Sequence, residues 1–219
     1  VTSDADGPRP GPSRVALVGV LVAVLALGAL LGSVLTRQPA ATAAPEGSVD
    51  AGFARDMQVH HAQAVELSVL VRDRSTDPEL RVVALDILLT QQNQIGQMAG
   101  WLSTWGLPAA SSTAPMAWMT EHDHAAAADA GLTGYAAMPG WVSREDLARL
   151  TAATGTDAER LYLELMIAHH RGGVTMAQEA ADRAGRPVVR SLAENIVRNQ
   201  QRELSALQDL LDARGGPLP

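Results

Sequence analysis

The chain has 219 residues, of which 47% are hydrophobic and only 3% aromatic, a balance that favours helices rich in alanine, leucine and valine over a β-sandwich. All basic residues are arginines, and the formal net charge of −7 argues against nucleic acid or a polybasic membrane-surface role. The absence of cysteine excludes disulfides, thiolate metal sites, cysteine nucleophiles and a lipid anchor on cysteine. Six histidines and seven methionines remain as the informative coordinating side chains.

Residues 1–14 are rich in Gly, Pro and Asp and read as a disordered, cytoplasmic N-terminus. From Val15 to Leu35 there is no charge, and at the helical rise this stretch is roughly 31 Å long, enough to cross a bilayer core. Residues 15–36 are therefore expected to be a transmembrane anchor. Arg9 and Arg14 precede the span and put its N-terminus inside, with the remainder extracytoplasmic. The alternative is a cleaved signal peptide, with Ala41-Thr42-Ala43 as the processing site and a secreted product. Residues 37–49 form a linker.

Residues 50–214 read as a duplicated four-helix domain. The shift that brings Met57 onto Met166 also brings His60-His61 onto His169-His170, Asp73-Arg74 onto Asp182-Arg183, Pro78 onto Pro187 and Gln91-Gln92 onto Gln200-Gln201. Each copy has the pattern of a helical hairpin. Phe53, Met57, His61, Ala64 and Leu67 keep helical spacing. Pro78 and Pro187 suit the first turn of each second helix, and these helices stop near Gly106 and at Gly215-Gly216-Pro217. Two hairpins with short turns make an all-α fold, a four-helix bundle. The connection between the copies, residues 107–160, carries Met116, Met119, His122, His124 and Met138. It is also expected to hold a short helix capped by Ser143.

The histidines come in close pairs with methionine near each. Met57 and Met166 lie three and four residues before their histidine pairs, which places sulfur and imidazole on one helical face. His60 and Gln92 stand equally far from the first turn, and His169 and Gln201 from the second. Gln91, Gln92, Gln200 and Gln201 are accordingly expected to face the imidazoles and fix their tautomers. Thioether and imidazole without thiolate suit copper, Cu(I) above all. Zinc rarely takes methionine, and the Glu-x-x-His pairs of a di-iron bundle are missing. The bland alternative is that the histidines are satisfied core residues and the methionines packing filler. No nucleophile elbow, phosphate-binding loop or dinucleotide fingerprint occurs, so no catalytic turnover is expected. Gly172-Gly173 within a helix implies close backbone approach beside His169.

Met166-Ile167-Ala168-His169-His170 with Val174 and Met176-Ala177, and the stretch from Asp56 to Ala64, resemble the signature of the domain-of-unknown-function 305 family over about residues 50–213. The resemblance implies a ferritin-like, four-helix protein, secreted or membrane-anchored, with copper and silver binding in CopM-like members. It carries metal contacts onto Met57, His60, His61, Met166, His169 and His170. Met116, Met119, His122, His124 and Met138 are similar in kind to family Met/His-rich loops. Trp141 follows Met138-Pro139-Gly140 where a further methionine is common in the family, and Leu67 stands where the second copy has Met176. The expected function is extracytoplasmic Cu(I) sequestration or transfer to a copper-handling or membrane partner. The alternative is a non-catalytic, membrane-anchored interaction module held by buried His–Gln networks.

Overall fold

The computed structural model describes residues 14–36, 44–119 and 131–218. Six α-helices are present among them: α1 (Arg14–Thr36), α2 (Val49–Arg74), α3 (Pro78–Thr104), α4 (Arg144–Ala152), α5 (Gly155–Arg183) and α6 (Pro187–Asp212). No strand occurs among the described residues. The chain divides into two units, Val1–Thr42 and Ala43–Pro219. In the first, α1 is a continuous helix whose described apolar side chains are exposed, Val15 and Leu25 among them. Among the described residues no helix is long and apolar enough to cross a membrane, and the described side chains of α1 stop at Gly32. The anchor expected at 15–36 is therefore not shown.

The second unit is the duplicated helical domain. Four of its helices, α2, α3, α4 and α6, begin at a short polar cap or a proline. Ser48 caps α2 by accepting from the Ala51 amide at 3.2 Å, and Asp77 caps α3 by accepting from Leu80 at 2.9 Å. Pro78 and Pro187 open α3 and α6. Ser143 caps α4 as its sequence suggests, accepting from the Asp146 amide at 3.0 Å. The linker expected over 37–49 gives way to helix at Val49, and the connection expected to reach 160 ends sooner, because α5 already begins at Gly155. Gly155 adopts a positive φ of 58°, and this conformation turns the chain from α4 into α5 within three residues.

α2 packs on α3, α6 on α5, and the two hairpins meet through α2 and α5. Acidic residues at equivalent positions of the two copies lock this pairing. The Asp50 carboxylate, at the start of α2, accepts from the Gly185 and Arg186 amides at 3.0 and 2.8 Å in the α5–α6 turn. Glu159, at the start of α5, accepts from Ser75 Oγ at 2.5 Å in the α2–α3 turn. The start of α2 thus lies at the end of α5 and the reverse, so these two helices run antiparallel about a local two-fold axis.

The core falls into two parts along the helices. One holds Phe53, Met57, Met98, Leu102, Met176, Val189 and Ile196; the other holds Leu67, Leu80, Ile87, Tyr162, Met166 and Leu207. The polar residues buried between them, on all four long helices, form the candidate site.

Candidate functional site

His60, His61, His169 and His170 are all fully buried and lie at one level. The rings of His60 and His169 face each other with centroids 3.8 Å apart, tilted by 30°. His61 and His170 flank them at 6.5 and 6.3 Å from their chain neighbours. The two repeated pairs therefore make a single layer. Antiparallel packing of α2 and α5 does this, since equivalent positions near the two-fold axis must face each other.

Each ring is tethered through Nε2. His60 reaches the Pro139 carbonyl at 3.1 Å and His169 the His60 carbonyl at 2.9 Å. His61 reaches Gln94 Oε1 and His170 reaches Glu203 Oε2, each at 2.7 Å. A carbonyl or carboxylate oxygen only accepts, so Nε2 donates at His60, His169 and His170. Gln94, placed with its carbonyl toward His61, assigns the same tautomer there. Burial pushes His60 down to about 4 and His61 to about 3, and holds His169 well below the usual imidazole range, with the neighbouring rings adding to the effect. These three rings are neutral at pH 7 and present Nδ1 as a bare lone pair. All four Nδ1 atoms are buried and meet no hydrogen-bond partner among the described residues. A buried acceptor left unpaired costs about 1–3 kcal/mol, so Nδ1 of His60, His61 and His169 favours a further partner.

The glutamines expected to orient the rings do not do so. Gln92 and Gln201 are exposed. Gln91 and Gln200 are buried in the layer, yet both amide atoms of each lack a partner. The side chains one turn further on, Gln94 and Glu203, take the role. Equal distance from the turn ignored side-chain direction. Each Cα–Cβ bond tilts toward its own helix N-terminus, which is away from the turn on α2 and toward it on α3. A side chain on α3 must therefore start further from the turn to meet His61.

Met57 and Met166 are fully buried, but because α2 and α5 are antiparallel they lie on opposite sides of the layer, in different parts of the core. Met98, Met116, Met119, Met138 and Met176 all join the part that contains Met57. Met98 and Met176 were not singled out as candidates from the sequence. Their counterparts Leu207 and Leu67 lie in the other part, so the repeat does not mark them. Six of the seven thioethers thus gather on one side of the layer, toward one end of the domain. His122 and His124 lie outside the described residues. Among the described residues, no group of three or more His, Asp or Glu side chains is arranged to hold a metal ion.

The connection is bound firmly at both described ends. Asp56, whose carboxyl burial raises, accepts from the Met116 amide at 2.7 Å and from Trp118 Nε1 at 2.9 Å. This holds Met116 at a φ of 67°. The Trp118 ring packs edge-on against Phe53, over Gly52, where a Cβ would collide with the indole. Further on, the Gln63 amide exchanges two 2.8 Å hydrogen bonds with the Val142 backbone. Pro139 and Gly140 cross α5 at Gly172 and Ala168, with no room for a Cβ at Gly140 or Gly172. The close approach expected of the glycine pair is thus real, and it is what brings the Pro139 carbonyl to His60.

A family model described as a domain of unknown function, DUF305, matches residues 50–211. A DUF305 protein of Streptomyces coelicolor, inferred to be secreted, has a solved structure similar to this chain at 43% identity and a TM-score of 0.70, covering 80% of this chain and 99% of that one. A DUF305 fragment from Deinococcus radiodurans is similar at 34% identity and a TM-score of 0.62, over 78% of this chain and 99% of the fragment. CopM in its Cu(I)-bound form is similar at 22% identity and a TM-score of 0.57, over 76% of this chain and 98% of that one. Among curated proteins, the uncharacterized protein L153 of Acanthamoeba polyphaga mimivirus is 35% identical over 49 residues, which span 22% of this chain and 32% of that protein.

Proposed function

The chain belongs to the DUF305 family, and from that premise we propose that it is a non-catalytic extracytoplasmic protein that binds Cu(I) and sequesters it or passes it to a copper-handling partner. One observation carries the reading: four buried imidazoles are each held through Nε2 while their Nδ1 atoms have no partner. A histidine that ligates a metal characteristically donates its other ring nitrogen to a carbonyl or carboxylate. It must also be neutral, and the depressed proton affinity of His60, His61 and His169 meets that requirement. Imidazole nitrogen beside a methionine-rich core is a donor set for a soft monovalent cation. The likeness to CopM supports the fold; copper enters the reading through this chain's own donors.

Thioethers mostly toward one end and imidazoles in the middle suit stepwise ligand exchange, in which neutral donors take and release the cation without losing protons. In this reading α1 is the membrane anchor or a leader. The uncharged run from Val15 to Leu35 supports this, and the inferred secretion of the Streptomyces coelicolor protein favours the extracytoplasmic side. Competition titration of the full chain under reducing conditions tests the proposal. The wild type should take Cu(I) in preference to Zn(II), and Met57→Leu with Met98→Leu and Met176→Leu should bind more weakly while keeping the helical fold. A wild type that leaves the competing chelator fully loaded defeats it.

A second reading is favoured by the lack of any group of three His, Asp or Glu side chains arranged to hold a metal among the described residues. Here the layer is a polar hydrogen-bond network that specifies how the two hairpins pair, and the domain is an interaction module. Replacing the layer histidines would then change stability and leave metal affinity untouched.

A further inference from the structure

The two copies place different chemistry at one equivalent position. Gln94 in α3 and Glu203 in α6 stand in the same register of their hairpins and make the same 2.7 Å contact, to Nε2 of His61 and of His170. Gln94 is a neutral amide, buried at 6% exposure. Glu203 is acidic, its side chain 20% exposed, on a groove between α3 and α6 that Asp86, Thr90 and Asn199 also line. Among the described residues it is the only carboxylate hydrogen-bonded to a ring of the layer. The remaining Nε2 contacts are to backbone carbonyls.

A carboxylate that accepts an imidazole N–H draws the proton toward itself and pushes electron density to the other ring nitrogen. It also supplies a negative charge to offset an arriving cation. An amide carbonyl does the first weakly and the second not at all. We propose that Glu203 makes His170 the stronger donor of the layer, so that a metal cation is taken first at the His170 side of an otherwise two-fold arrangement. Glu203 is a positioning residue: it acts through His170 and does not itself contact the metal. The inference rests on the metal-binding reading above. It adds an order of filling and a residue that sets it.

The test uses the full chain, Ag(I) or Cu(I) as the probe, and three variants: Glu203→Gln, Gln94→Glu and the swap that carries both. Affinity is read by competition titration, helical content by circular dichroism, and the Nδ1 resonances by NMR of histidine labelled with nitrogen-15. Glu203→Gln should weaken the tightest site by about 10- to 100-fold, the range for loss of a partner of a ligating histidine. The swap should recover that affinity and transfer the first-responding Nδ1 from His170 to His61, which a merely structural carboxylate would not do. Equal affinity of the wild type and Glu203→Gln, or a swap that leaves His170 responding first, overturns the inference while leaving the metal reading in place. A wild type that binds neither cation defeats that reading and the inference with it.

Discussion

Acidification from pH 6.5 toward 4 is expected to unfold the helical domain well before the carboxylates titrate as a class. The cause is the imidazole layer. In the unfolded chain the histidines titrate near 6.5, whereas burial holds His60 to about 4, His61 to about 3 and His169 well below the ordinary value. Across that window the unfolded state binds protons that the folded state refuses. Stability is therefore fully present above about 6.5 and declines as pH falls toward the folded values. Each unit of difference is worth about 1.4 kcal/mol, so His60 and His61 account for a loss on the order of several kcal/mol, comparable with the whole stability of a domain, and His169 acts in the same direction. Asp56 works in the opposite sense, because burial raises its carboxyl, but it is one group against three. Urea unfolding at a series of pH values checks this: the midpoint should fall steeply below pH 6.5, and a flat profile between 7 and 5 would contradict neutral buried rings.

The second large effect is expected from Gly172→Ala. Helix propensity alone favours alanine over glycine by about 1 kcal/mol. At Gly172, however, the added Cβ lands on the carbonyl of Pro139 and against the amide of Gly140. These are backbone atoms, and Gly140 is itself pressed against α5 with a φ of 71°. Neither side can yield by a rotamer change, so the connection must lift off and take the Pro139 carbonyl away from His60. Overpacking costs about 1–3 kcal/mol and occasionally more, and with backbone atoms on both sides of the clash it outweighs the propensity gain. Gly173→Ala is the control. Its Cβ meets the Gln200 side-chain amide, which can swing aside, so its cost should be visibly smaller. Thermal unfolding of the two variants gives the comparison; equal midpoints would mean that the crossing at Gly172 is looser than it stands here.

Much of this site was legible because its residues repeat. The paired histidines, Met57 with Met166, and the prolines opening each second helix stand out at one common shift, and a duplicated hairpin places equivalent residues across a two-fold axis. That the two imidazole pairs form one layer follows only from antiparallel packing of α2 with α5, which Asp50 and Glu159 enforce over long sequence distances. The contacts at Gln94 and Glu203 were missed because the two residues differ, and because symmetry about a turn says nothing of side-chain tilt. Met98 and Met176 were missed for the related reason that their counterparts are leucines. Pro139 could not be found by any local pattern, since its carbonyl reaches His60 only through the glycine crossing on α5.

The measurement that bears most directly on the layer as a metal receptor is nitrogen-15 NMR of histidine-labelled protein during addition of Ag(I), a diamagnetic surrogate for Cu(I). Metal ligation predicts large shifts at Nδ1 of the layer histidines, with Nε2 keeping its proton and its hydrogen bond. Methionine methyl shifts accompanied by unmoved histidine nitrogens would contradict it, and would leave the imidazoles as the polar seam between the two halves of the core.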